Sequence, residues 1–450
     1  MTDWLDAALA YAGKWIDYQM MLTGQPGCVV AVAEAAEVVY EQAFGVADAT
    51  TGEALTPAHR FRVASHSKTF TAAAVMKLRD MGRLRLDERI GAYVSGLAQP
   101  VADATIAQLL SHSSGLLRDG RRSPHWQVKA PFFDAAALRD ELEQPLAFES
   151  NTRFKYSNLG FGLLGFAIEA ITGEAYESWI AREIVAASGL RQTTPDVPLA
   201  DGIPAAAGHS CWTPIGRGKV DGTAPTFALA AATGFVSTAG DLARFYGTLD
   251  PAAERSVLSV ASRREMTRRH WSIPHTAETR DYGLGTLIMD VDGHTLVGHS
   301  GSFPGFITRS ALLPEWGISL SVVTNAADGP AHSWLEGIVS ILHRFAQHGA
   351  PSARTADWTG RWWSLWSPID LVPMGDRVLV ASPAALRPFR DASELDVADR
   401  TRGVISLAYG LANHGEPVER KLDSAGAVAG LFLGSGEWVA DPNRLAASFG

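Results

Sequence analysis

An antiparallel sheet flanked by helices, a separate all-helical region, and a small all-β domain at the C-terminal end make up the α/β (α+β) fold that the sequence predicts. Three observations predict it. Two strand-like runs, 27–33 and 38–44, form a hairpin pattern near the start. A second cluster of strand runs fills 284–324, after a long stretch of helical spacing. Composition then shifts after His348 to short strand runs separated by turns.

The elements follow in order. Residues 3–22 are amphipathic and predict a first helix. Glu34-Ala-Ala-Glu37 is the short turn region between the first two strands. Phe61–Met76 predicts the start of a helix with Phe70, Val75 and Leu78 as apolar members. Thr105–Leu110 predicts another, ended by the turn-rich Ser111-His-Ser-Ser-Gly115. Residues 116–155 are mixed and loop-like. Leu159–Ala170 has the spacing of a buried helix that ends near Thr172-Gly173. Leu284–Met289 and Thr295–His299 flank Asp290-Val-Asp-Gly293, in which Asp-Gly is a strong hairpin turn. Ile307–Leu313 and Ile318–Thr324 flank Pro314–Gly317, and 332–346 predicts a closing helix. Residues 1–348 therefore read as one domain of mixed helices and strands, 349–356 as a linker, and 357–450 as a small β-barrel-like domain. Its expected strands are Gly360–Trp366, Asp370–Val372, Arg377–Val380, Gly403–Ala408 and Val428–Leu433.

Composition narrows function. The chain has 450 residues, 46% of them hydrophobic and 19% charged, and a net charge of −9. That describes a globular protein with ample core. With no basic run, nucleic acid and anionic membrane surfaces are not expected partners. The start of the chain has two acids and no basic segment, so neither a signal peptide nor a membrane span is expected. Cys28 and Cys211 are the only cysteines, which points to a reduced, cytoplasmic setting. His209-Ser-Cys211 and Asp290/Asp292 lack metal-site spacing, and no phosphate-binding loop follows a strand, so no metal and no cofactor is expected.

The chemistry concentrates in three places. Ser65-His-Ser-Lys68 puts a hydroxyl and an amine three residues apart, on one face of a helix. Serine is a weak nucleophile until a base takes its proton, and a lysine becomes that base when burial lowers its pKa. The alternative is an N-capping serine and an exposed lysine. Tyr156-Ser157-Asn158 offers a phenol and an amide before the buried helix, or simply a surface tyrosine before an N-cap. Gly298-His299-Ser300-Gly301-Ser302 ends a strand with small residues, where a substrate backbone can approach and N–H groups can receive an oxyanion. It is not a Gly-x-Ser-x-Gly elbow, so an α/β-hydrolase is not indicated.

Ser65-x-x-Lys68, Tyr156-x-Asn158 and His299-Ser-Gly301, in that order, resemble the penicillin-recognising serine hydrolases, and more closely their class C β-lactamase-like branch. Phe61-Arg-Val-Ala-Ser65, Leu86-Asp87-Glu88, Thr105–Leu116 and Gly234–Ala243 extend the likeness over roughly residues 20–346. The tail from 355 resembles a lipocalin-like domain attached to some members. That branch holds D-alanyl-D-alanine carboxypeptidases, D-aminopeptidases, esterases and some acyltransferases. The resemblance implies that Ser65 becomes the acyl-enzyme, that Lys68 takes its proton, and that Tyr156 relays protons with Lys68. It implies that Asn158 holds a substrate amide side chain, and that His299 stands in for a lysine. It implies further that Ser300, Gly301 and Ser302 line the substrate, with the N–H groups of Ser65 and Ser302 as oxyanion hole. Because His299 replaces that lysine, antibiotic hydrolysis is not expected. A small amide, peptide or ester substrate fits instead. Acyl transfer from the same acyl-enzyme and a catalytically idle binding protein are the alternatives. The C-terminal domain is open to capping the site, binding a ligand or building a homo-oligomer.

Overall fold

The computed structural model describes residues 3–276, 279–409 and 412–447. The chain forms two compact units: Gln25–Leu335, and Met1–Gly24 together with Glu336–Gly450.

In the larger unit β1 (Gly27–Glu34) and β2 (Glu37–Asp48) form the expected hairpin, and β3 (Glu53–Ala54) extends its edge. β4 (Phe61–Arg62), β5 (Gly208–His209), β6 (Lys219–Val220) and β7 (Val236–Ser237) are two-residue pieces, with β4 paired to β7 and β5 to β6. β8 (Trp271–Ser272), β9 (Arg280–Tyr282), β10 (Leu287–Val291), β11 (His294–Phe303), β12 (Phe306–Leu313) and β13 (Ile318–Thr324) complete the sheet. The order is β3-β2-β1-β13-β12-β11-β10-β9-β8, antiparallel throughout. β1 therefore pairs with β13, with Val30 opposite Val322, and the two ends of the sequence pattern share one sheet. β1 and β13 are central and buried almost end to end, which is why their sequences run apolar without alternation. Asp292 (φ 52) and Gly293 (φ 83) supply the two left-handed residues of the turn between β10 and β11.

The helices are α1 (Asp3–Thr23), α2 (His66–Asp80), α3 (Gln99–Ala102), α4 (Ile106–Leu110), α5 (Ala135–Leu142), α6 (Asn158–Thr172), α7 (Tyr176–Ile180), α8 (Ala239–Thr248), α9 (Val260–Thr267), α10 (Ala331–His348) and α11 (Pro442–Ala447). α8 lies on β1, β12 and β13, where Ser319 Oγ donates to the Ala243 carbonyl at 2.6 Å. α2 crosses α6, and Phe70 is stacked between Phe235 and Phe245 at 4.4 and 3.9 Å between ring centroids. Thr105 caps α4 through a complete capping box with Gln108. α6 starts at Ser157, whose hydroxyl accepts from the Gly160 N–H, and ends at Gly173 with φ 76. The loop-like stretch 116–155 contains α5, started by the Asp134 carboxylate accepting from the Ala137 N–H. One Asp at its N-cap is a short signal, easily lost among polar residues.

In the other unit β14 (Gly360–Trp363), β15 (Pro368–Met374), β16 (Arg377–Ala381), β17 (Ser393–Val397), β18 (Arg402–Leu407), β19 (Pro417–Leu422), β20 (Val428–Leu433) and β21 (Gly436–Trp438) form an antiparallel meander in chain order. Trp363 and Val439 exchange two backbone hydrogen bonds, at 2.8 and 3.0 Å, and bring the first and last edges together as a near-barrel. Its core is Trp358, Trp362, Leu371, Val378, Leu395, Val397, Ile405, Val418 and Leu431. Within this unit the Trp15 indole of α1 donates to the Ala385 carbonyl at 3.1 Å, and the Gln19 amide to Pro383 at 2.7 Å. β17, β19 and β21 were not expected from sequence. β19, Pro-Val-Glu-Arg-Lys-Leu, carries too little apolar character to announce itself.

Candidate active site

The site is assembled where α2 begins. Ala64 holds φ 49, a strained value for a residue with a Cβ, and turns the chain so that Ser65 opens the helix. The Ser65 side chain makes no capping bond. Its Oγ instead lies 3.1 Å from Lys68 Nζ, as the i, i+3 spacing requires. Lys68 is fully buried, and its amine also donates to the Ala232 carbonyl at 2.7 Å. Burial drives the Lys68 pKa well below the ordinary lysine value, opposed by Asp119 and assisted by Arg118. A neutral amine has a lone pair to offer, so the Ser65 hydroxyl can donate to it.

Tyr156 comes from the loop before α6. It lines the same cleft as Ser65, and Lys68 Nζ sits 4.8 Å from its ring centroid. Burial raises the phenol pKa, so the group is a neutral proton carrier. The loop is held by backbone bonds. Lys155 N–H donates to the His112 carbonyl, Asn158 N–H to the Arg118 carbonyl, and Ser157 N–H to His112 Nδ1. Asn158 lines the cleft beside Ser65, and its amide Nδ2 donates to the Asp119 carboxylate.

The third piece is an open strand edge. β10 pairs with β11 only as far as Gly298, so residues 299–303 have β12 on one side and the cleft on the other. Ser302 faces Ile307, whose carbonyl accepts from Thr324 on β13. Ser302 and Ile307 are thus a non-hydrogen-bonded pair, and the Ser302 N–H points away from β12. Ser300 and Ser302 line the cleft with Ser65. Gly301 lies elsewhere, with its Cα against the Val63 carbonyl and Thr308 Oγ1, where any Cβ would collide. It brings the strand up to the segment that leads to Ser65. His299 is buried and its Nε2 bonds the Tyr282 hydroxyl at 2.9 Å, not Ser65 or Tyr156. Burial, reinforced by Lys68, lowers its pKa to about 3. His299 is neutral around pH 7 and supplies no fixed positive charge.

These residues enclose a cleft of about 610 Å³, walled by Trp126, Phe154, Ile273, Leu287 and Phe303, with Arg118 and Arg280 at its polar side. Tyr282, Asp119, Arg118 and His112 are functional-site neighbours that sequence reasoning missed. Only His112 stood in a stretch singled out from the sequence, Ser111–Gly115, and there it looked like a turn residue. In the fold its ring packs 4.1 Å from Tyr156 and 4.8 Å from Tyr282. His209 is used structurally: Nε2 accepts from the Ala49 N–H, and Nδ1 meets the Asn325 carbonyl.

Residues 14–339 match the family model described as Beta-lactamase. Penicillin-binding protein 4 of Amycolatopsis lactamdurans is 31% identical over 345 residues, covering 67% of this chain and 81% of that protein. Among solved structures, the D-amino acid amidase of Ochrobactrum anthropi SV3 is 25% identical with a TM-score of 0.63, covering 75% of this chain and 99% of that one. The octameric penicillin-binding protein homologue from Pyrococcus abyssi is 21% identical with a TM-score of 0.65, covering 96% and 99%.

Proposed function

This chain belongs to the Beta-lactamase family of serine hydrolases, and from that premise we propose that it cleaves an amide, peptide or ester bond in a small substrate through an acyl-enzyme on Ser65. The observation that carries this is the Ser65 hydroxyl set 3.1 Å from a fully buried Lys68 amine whose pKa burial has lowered. Burial favours the neutral form of such an amine, which is the form that acts as a base, and it stands within proton-transfer reach of Ser65 Oγ.

The chemistry runs in two halves. Ser65 Oγ bonds to the acyl carbon while its proton passes to Lys68. The carbonyl oxygen takes up negative charge between the Ser65 and Ser302 N–H groups, each such donor contributing about 3 kcal/mol. Tyr156, in the cleft with Ser65 and beside Lys68, returns the proton to the departing amine or alcohol. Water then attacks the ester, gives its proton back through the same pair, and frees Ser65. His299 holds Tyr282 in the cleft wall and acts as a neutral hydrogen-bonding group.

A substrate with a D-configured amino acid on the acyl side is favoured by the likeness to the D-amino acid amidase. A cytoplasmic setting is supported by Cys28 and Cys211, which are both free thiols. Among the described residues no helix is long and apolar enough to cross a membrane.

The test is intact-protein mass spectrometry after a fluorophosphonate probe. One adduct mapped to Ser65 and absent from Ser65→Ala is expected. Equal labelling of the variant, or turnover of amides and esters that survives it, would remove the reading. Product analysis with a competing amine separates hydrolysis from acyl transfer.

A further inference from the structure

Asn158 is an amide, and an amide offers two donors on one side and an acceptor on the other. Which side meets the substrate is normally a free choice of the side chain. Here it is not. Nδ2 faces the Asp119 carboxylate, and a carboxylate only accepts. Turning the amide over would set two oxygens against each other. Asp119 is itself fixed. Its Oδ1 also accepts from the Trp126 indole at 3.0 Å, and its Oδ2 pairs with Arg118 Nε at 3.0 Å. The Asp119 side chain is 12% exposed. The backbone locks the same geometry: the Asn158 N–H donates to the Arg118 carbonyl at 2.8 Å. On the other side Gly120 (φ 81) turns the chain so that the Arg121 N–H meets Glu141 Oε2 at 2.9 Å.

The consequence falls on Asn158 Oδ1. It is buried and has no hydrogen-bond partner among the described residues. Lys68 Nζ meets Ser65 Oγ and the Ala232 carbonyl and makes no bond to Asn158 Oδ1. A buried acceptor left empty is costly, and a ligand that donates to it recovers that cost.

We propose that Asp119 is a positioning residue that fixes Asn158 as an acceptor, so that the cleft selects acyl groups bearing an N–H donor, such as a free amine, on the carbon next to the scissile carbonyl. This rests on the hydrolase reading above and sharpens it: acyl groups that present only an oxygen acceptor there are disfavoured.

The experiment uses full-length protein and three 3-phenylpropionyl p-nitroanilides, with amino, methoxy or hydrogen at C2, both enantiomers of the first two being tested. In the wild type, kcat/KM for the amino compound is expected to exceed that for the methoxy compound at least tenfold. In Asp119→Asn, whose own amide can either donate or accept, Asn158 is free to turn. The methoxy compound should gain and the ratio should fall at least fivefold. Asp119→Glu, which keeps an acceptor-only partner, should hold the ratio nearer the wild type. In parallel, binding of the matching unreactive carboxamides to Ser65→Ala is measured by calorimetry. The amino ligand should bind at least tenfold more tightly than the methoxy ligand. Should Asp119→Asn fail to fold, Asn158→Leu, which has no acceptor, should abolish the preference in its place. Equal or reversed preference in wild-type turnover or in Ser65→Ala binding overturns the proposal, as does an unchanged ratio in folded Asp119→Asn. Absence of a fluorophosphonate adduct at Ser65 would instead overturn the hydrolase reading, and the calorimetric ratio, compared between Ser65→Ala and Ser65→Ala with Asp119→Asn, would still judge Asp119.

Discussion

Lys68 carries the proposed mechanism because it is buried without a carboxylate bonded to it. Its amine has a serine hydroxyl and a backbone carbonyl as partners, and neither rewards a full charge as an acid would. The base works only when deprotonated, so activity is lost as pH falls through the lowered Lys68 pKa. The profile of Ser65 labelling against pH should therefore rise and level off well below the ordinary lysine value of 10.5. His299 gives up its proton near pH 3, so no separate imidazole step is expected around pH 6.5. A step there that vanished in His299→Gln would contradict this placement. Tyr156→Phe removes the proton carrier between Ser65 and the leaving group, and kcat should fall by about 10²- to 10⁴-fold. Substrate affinity should change far less, which steady-state kinetics on any active amide would show.

Elements set the distances between these residues. The strand carrying Ser302 approaches Val63 only because position 301 has no side chain. Gly301→Ala would push β11 from the segment leading to Ser65, opening the proposed oxyanion hole. We expect kcat/KM to drop at least tenfold, with a stability loss of about 1–3 kcal/mol from the overlap, read by denaturant unfolding. Retained activity would show that the two N–H groups do not act as a pair. Further from the chemistry, Thr105→Ala removes one half of the α4 capping box and should cost about 1 kcal/mol, with labelling of Ser65 unchanged.

At the scale of the molecule, the unit that contains the C-terminal near-barrel also contains α1. Tyr11 packs on Phe389, Tyr18 on Trp363, and the Arg361 guanidinium donates to the Lys14 carbonyl at 3.2 Å. A fragment ending at residue 348 would leave those apolar and polar groups of α1 in water. It should melt lower and aggregate more readily than the full chain, checked by thermal scanning and light scattering. A fragment as stable as the whole would mean that these contacts add nothing. Within the near-barrel, Trp358 is fully buried, donates to the Asp399 carbonyl at 3.1 Å and lies under Arg420. The tryptophans of this region are thus packing residues in part, although Trp366 stands exposed.

The sequence by itself determined the elements whose signals are local. Period and turn chemistry located β1, β2, β12, β13, α2 and α6, and the two-residue Asp292-Gly293 turn, because those patterns depend on neighbours a few positions away. The Ser65–Lys68 meeting was legible for the same reason, since one helical turn brings i and i+3 together whatever surrounds them. Tertiary structure decided the rest. That β1 lies beside β13 depends on partners nearly three hundred residues apart. That His299 is neutral and bound to Tyr282, and that Asp119 orients Asn158, depend on burial and on contacts between separate loops. Spacing along a chain fixes local geometry, whereas a pKa or the facing of an amide is set by the dielectric and the donors that folding brings around it.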